Sequence, residues 1–247
     1  MENEEINSKI LKLWKDFPEK IRGKYWPLLF PKFKKNSLLF VGLNPSLSKK
    51  GIKYVIKKSG YEGEIKSKKS LKYPNPNLKP EEIIELEKAA FENYSYFEKF
   101  KKLSEKLGIA WAHIDLFVYR LTKQGDFKEK IGIYKNKKGE VLWDNPKKQE
   151  FGVKQLKIAS DSIQKLKPKI IVVANAFASD IINSNPKLFK LNNNPEEFDK
   201  NGHDTITIGN DKVPIIFTSM LTRGALDNHS FRRLKWDIKN AIKKRIN

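Results

Sequence analysis

Four short apolar runs limit what this chain can fold into: Leu38-Leu39-Phe40-Val41, Ile109 to Phe117, Ile170-Ile171-Val172-Val173-Ala174 and Val213-Pro214-Ile215-Ile216-Phe217. Runs this short and continuous, separated by segments of helical period, are the pattern of strands buried on both faces of a parallel sheet. The expected fold is α/β, a three-layer α/β/α arrangement around a central four-stranded parallel sheet. Each run gives way to a polar residue: Asn44, Asp115, Asn175 and Ser219. Ligands of open α/β sheets bind outside the carboxyl ends of the strands. These residues are therefore the first candidates for a site.

The segments between the runs have their own signals. Ile6, Ile10, Leu13, Trp14 and Phe17 recur at helical spacing, which places an amphipathic helix in an N-terminal extension over 1–36. Lys49 to Asn77 reads as a long basic loop carrying Tyr54, Tyr61 and Tyr73. Pro80, Glu81 and Glu82 suit a helix start, Asn93-Tyr94-Ser95 a break, and Gly108 a stop. An insertion over 123–147 contains the alternating segment Lys130 to Trp143, a hairpin turning at Asn136-Lys137-Lys138-Gly139. A helix is expected from Lys148 to Leu166, a polar surface loop from Leu188 to Gly209, and a last helix from Ser230 to Arg245 capped by Asp227 or Asn228. No composition shift divides the 247 residues, so the expectation is one domain.

Composition narrows the function. Fifty Lys and Arg against twenty-nine Asp and Glu give a formal charge of +21, which favours a polyanionic partner through counterion release. A general lysine bias of the surface would give the same charge. Without cysteine there are no disulfides, iron–sulfur ligands or thiolate nucleophiles, and three histidines make a His-based metal site unexpected. No apolar stretch is long enough for a membrane span and the acidic start is unlike a signal peptide. The expectation is a cytoplasmic (in a prokaryote, nucleoid-associated) monomer without metal or cofactor, whose partner is DNA.

Gly42-Leu43-Asn44-Pro45-Ser46 has a glycine that allows close backbone approach, a proline that stiffens the exit and one carboxamide between them. It resembles the G-[IL]-N-P-[GS] signature of the mismatch-specific and thymine-DNA glycosylase branch of the uracil-DNA glycosylase superfamily. His113-Ile114-Asp115-Leu116-Phe117-Val118-Tyr119-Arg120 resembles the second-strand segment of the thermostable branch, with Asp115 in the place of Asn. Lys169 to Ala178 resembles the third-strand segment, with Asn175-Ala176 for the usual Gly-Lys or Gly-Ser. Ser219, Leu221 and Thr222 match the minor-groove loop [H/N]-P-S-[P/G]-L-S, whose His or Asn is Phe217 here and whose Pro is Thr218.

The resemblance implies a uracil-DNA glycosylase-like fold and hydrolysis of the N-glycosidic bond of a flipped, deaminated or damaged base. Asn44 would hold the attacking water and Asp115 would read the base edge. Gly42, Leu43, Pro45, Ser46 and Asn175 would shape the pocket, with Tyr54 or Tyr73 stacking on the base. Ser219, Thr222 and Arg223 would meet phosphates. Leu221 would either wedge into the emptied stack or pack in the core. Phe217 cannot donate to the leaving base, a role open to His229 or Arg223. An ionised Asp115 only accepts hydrogen bonds, so it suits a base edge rich in donors; protonated by burial it would mimic Asn, and the other reading is that it pairs with Arg120 or caps a helix. Without a leaving-group donor, the alternative is a non-catalytic nucleic-acid-binding protein of the same fold. A nucleotide-handling enzyme of flavodoxin-like architecture is disfavoured, because no glycine-rich phosphate loop follows the first strand.

Overall fold

The computed structural model describes residues 2–45, 48–221 and 225–246. The chain opens with α1 (Glu2–Asp16) and the short α2 (Glu19–Arg22), then enters β1 (Leu38–Gly42). It continues through α3 (Lys49–Ser59), α4 (Pro80–Asn93) and α5 (Glu98–Leu107) to β2 (Trp111–Asp115). Next come α6 (Gln124–Ile131), β3 (Ile133–Lys135), β4 (Val141–Trp143) and the long α7 (Pro146–Leu166). The remainder is β5 (Ile170–Ala174), α8 (Ala176–Ser184), α9 (Pro186–Phe189), β6 (Leu191–Asn192), α10 (Pro195–Asn201), β7 (Asp204–Ile208), β8 (Asp211–Thr218) and α11 (Asn228–Ile246). The fold is mixed α/β, and its contacts form two compact units, Met1–Phe33 with Asn44–Phe97 and Asp115–Ala159, and Lys34–Leu43 with Glu98–Ile114 and Ser160–Asn247.

The second unit is built on the sheet, ordered β2-β1-β5-β8-β7-β6. β1 runs parallel to β5 with Leu38 opposite Ile170, and β5 parallel to β8 with Ala174 opposite Thr218. Every residue of β1 and β5 is buried, as expected of strands covered on both faces. Phe40 stacks on Phe100 of α5 with ring centroids 4.3 Å apart, and Phe100 stacks in turn on the buried His113. Helices α8 and α11 both pack on β5 and β8.

The sheet has six strands, not four. The additional pair comes from Leu188 to Gly209, which reads as a polar surface loop in the sequence. There β6 and β7 extend the sheet antiparallel, joined to β8 by the two-residue turn Gly209-Asn210. Asp204-Thr205-Ile206-Thr207-Ile208 has enough β-branched residues for a strand. Asn192 donates from its amide to the hydroxyls of Thr205 and Thr207, so the polar residues that suggested a loop are satisfied across the strand pair. Lys49 to Asn77 is likewise not an open loop. Its first part is α3, with Ser48 as N-cap accepting from the Gly51 amide and Ile52 and Val55 on the buried face. Its second part is pinned where Trp26 N–H donates to Leu71 O and Tyr73 N–H to Lys24 O.

In the first unit the N-terminal residues are core rather than appendage. Ile6, Ile10, Leu13 and Trp14 are buried, and Asn7 bonds the Phe30 amide and carbonyl at 2.8 and 2.9 Å. The hairpin forms as expected, with Ile133 opposite Trp143 and Asn136 Oδ1 accepting from the Lys138 and Glu140 amides. Among the described residues no helix is long and apolar enough to cross a membrane, and no group of three or more His, Asp or Glu could hold a metal.

Candidate active site

The β1 exit is held by its own apolar residues. Gly42, Leu43 and Pro45 are buried, and only Asn44 between them is partly open. Its side-chain amide donates to Leu121 O at 2.7 Å, to Tyr119 O at 3.3 Å and to Pro45 O at 3.4 Å. A carbonyl oxygen can only accept, so three of them fix which end of the carboxamide is NH2. No hydrogen bond among the described residues uses Oδ1. The arrangement is an oriented acceptor, which can hold a water in one direction without removing its proton. Ser46 lies outside the described residues.

Asp115, the last residue of β2, is 6% exposed. Tyr96 lies close enough for the carboxylate to help push its phenol above the ordinary tyrosine value, after burial and ahead of Tyr94. The following segment is fixed backbone. Leu116, Phe117, Val118 and Tyr119 are buried, and Val118 N–H donates to Gln155 Oε1 at 3.1 Å. Arg120, also buried, takes Glu87 as its ion-pair partner and donates to Trp26 O at 2.9 Å and Pro27 O at 3.2 Å. The residue pairing with Arg120 is thus supplied by α4, which nothing near Asp115 in the sequence suggests.

The other candidates divide. Tyr54 is exposed on α3, while Tyr73 meets Trp26 edge-on at 5.1 Å and lies under the Arg22 guanidinium at 4.5 Å. Asn175 is the N-cap of α8, its Oδ1 accepting from Ala178 N–H at 3.0 Å, which accounts for a polar residue at that strand end without a ligand. Ser219 is exposed and donates to Ala225 O at 3.2 Å. Leu221 is 1% exposed and packs in the core, so the wedge role is not available to it as folded. Thr222 and Arg223 lie outside the described residues. His229 is exposed in the first turn of α11, where its backbone N–H donates to the capping Asp227.

Sequence reading missed Tyr96, Glu87 and the aromatic and basic residues after α2. Asn93-Tyr94-Ser95 was legible only as a helix break, and neither Tyr96 nor Glu87 stands out in the sequence. Tyr94 and Tyr96 stack with centroids 6.5 Å apart, and Tyr96 meets Phe97 edge-on at 5.0 Å. A tyrosine doublet at a helix break, between two helices with apolar faces, was the available signal. Compared with known proteins, the chain matches no protein-family model and no curated protein sequence.

Proposed function

We propose that the protein is a uracil-DNA glycosylase-like enzyme, a monomer that flips a deaminated or damaged base out of DNA and hydrolyses its N-glycosidic bond. The observation that carries the reading is the pinned Asn44 amide, with its donor end on the Leu121 and Tyr119 carbonyls and its Oδ1 unused among the described residues. Water held there attacks C1′ of the deoxyribose as the C1′–N bond breaks. The bonding pair departs with the base, the water's proton passes to solvent, and a proton completes the leaving base. The transition state has oxocarbenium character, so a positioned water serves better than a strong base. Asp115 and Tyr96 supply the recognition end, a buried acceptor beside a ring. The +21 charge supports a DNA partner through phosphate neutralisation.

A non-catalytic DNA-binding role is favoured by one observation, Phe217 at the end of β8, where a leaving-group donor would stand in the family it resembles. One experiment separates the readings. Oligonucleotides carrying uracil, hypoxanthine, xanthine or an oxidised base are incubated with protein and then treated with alkali to cleave abasic sites. Excision of any lesion by wild type, with Asn44→Ala slowed about 100-fold and DNA binding kept, supports the enzyme; that loss is about 3 kcal/mol of transition-state stabilisation. DNA binding that weakens steeply with salt, with no excision across the panel, supports the binding protein. Full rate in Asn44→Ala removes Asn44 from the mechanism.

A further inference from the structure

The segment that receives Asn44 also forms one wall of a cleft of about 470 Å³ within the first unit. Its charge is lopsided: Lys20, Arg22, Lys24, Arg120 and Lys130 stand against Glu19 alone. Arg120 is ion-paired, so the imbalance rests on Lys20, Arg22, Lys24 and Lys130. The Arg120 guanidinium is partly neutralised by Glu87, and its Nη1 has no hydrogen-bond partner among the described residues. A fully buried guanidinium donor left unmatched is costly. Lys68 belongs to the same cluster. Burial and the like charges of Lys24 and Arg120 hold its ammonium below the ordinary lysine value.

Aromatic rings are interleaved with these cations. Lys24 and Lys68 lie 5.6 and 5.0 Å from the centroid of Tyr25, and Arg22 lies 4.5 Å from that of Tyr73. Gly23, at φ +78°, has no Cβ where one would stand 2.7 Å from the Tyr119 ring, so the ring closes against the backbone and shapes the cleft floor. Cations that repel one another are brought together at an energetic cost, and a bound anion would relieve it. The cleft is too small for a duplex and large enough for one nucleotide. Rings beside clustered cations suit a base next to its phosphate.

We infer that this cleft binds the phosphate of a nucleotide, either a free nucleoside monophosphate or the 5′-phosphorylated end of a DNA strand. The inference stands apart from the glycosylase reading, since it requires no chemistry at Asn44.

The test is direct binding of dTMP, deoxythymidine and inorganic phosphate by calorimetry at low salt. The proteins are wild type, Lys24→Glu/Lys130→Glu, and a control of equal charge change on exposed residues of α3, Lys57→Glu/Lys58→Glu. All four positions are exposed, so the variants keep the fold. Wild type binds dTMP roughly tenfold or more tightly than deoxythymidine, and the cleft variant loses roughly tenfold while the control stays within about twofold. In unmutated protein, dTMP protects Lys68 from acylation, read by mass spectrometry. Tighter binding of a 5′-phosphorylated than a 5′-hydroxyl single strand assigns the site to strand ends. Equal binding of the two strands, with the dTMP result kept, assigns it to free nucleotides. Equal affinity for dTMP and deoxythymidine, equal losses in cleft and control variants, or unprotected Lys68 each overturn the inference.

Discussion

Asn44 donates its side-chain amide to the carbonyl oxygen of Leu121 at 2.7 Å, across 77 residues of sequence. The bond ties the end of β1 to the segment after β2 and decides which way the carboxamide faces. Because the partners are carbonyls, charge rather than size decides what can replace Asn44. Asn44→Asp is nearly isosteric but turns an acceptor toward Leu121 and Tyr119. It is expected to cost about 2 kcal/mol of stability, against about 1 kcal/mol for Asn44→Ala. Urea unfolding of both variants gives the order, and an aspartate variant as stable as wild type would show that the amide is not held as described.

Asp115 decides the lesion if the enzyme reading holds. A carboxylate accepts from a ring N–H and an exocyclic amine but repels a carbonyl oxygen, whereas Asn both donates and accepts. Asp115→Asn is expected to move preference toward uracil and away from amine-bearing bases by two or more orders of magnitude, roughly what a mismatched buried polar contact costs in rate. Parallel excision assays on a lesion panel check it. Identical profiles for the two proteins would dismiss Asp115 as the reader.

The buried Arg120–Glu87 pair is expected to be a stability determinant. Removing one partner leaves an uncompensated buried charge, so Glu87→Ala is expected to cost about 3–5 kcal/mol. Adding Arg120→Met should recover part of that loss, with a coupling energy of about 2 kcal/mol in the double-mutant cycle. Recovery is incomplete because Arg120 also serves the Trp26 and Pro27 carbonyls. Additive losses would mean the two side chains act independently.

The cap of α11 titrates. Asp227 accepts from the Ser230 and His229 amides and the Ser230 hydroxyl, which brings its carboxyl down to about 2. A carboxyl lowered by folding stabilises the fold above its unfolded value and stops doing so as pH falls through the folded one. Asp227→Ala is therefore expected to lower Tm at pH 7, the gap from wild type closing between about pH 4 and about pH 2. A gap independent of pH would assign the effect to helix propensity.

Much of the fold was legible because the strongest signals are local. The apolar runs at Leu38 and Ile170 became buried strands, and Pro80, Tyr94 and Gly108 divided α4 from α5 where turn chemistry said they would. The hairpin at Asn136 and the cap at Asp227 followed from side chains that bond their own neighbours. Local signals failed where a polar segment borrowed partners. Thr205 and Thr207 read as loop because their hydroxyls are satisfied by Asn192 on another strand. Lys49 to Ser59 read as loop because lysines hid the Ile52 and Val55 face.

The sequence alone determined an α/β chain without thiols and with a large positive charge, with Asn44 and Asp115 at strand ends. Composition and period-two or period-3.6 patterning are properties of neighbours in the chain. Tertiary structure decided what those strand-end residues do. It committed the Asn44 amide to Leu121, buried Leu221, gave Arg120 to Glu87 and gathered Lys24 and Arg120 on one cleft beside Lys68. The Asn44 and Arg120 bonds reach partners 77 and 33 positions away, and pairing at a distance is set by packing and by the cost of leaving a buried donor or charge unmatched.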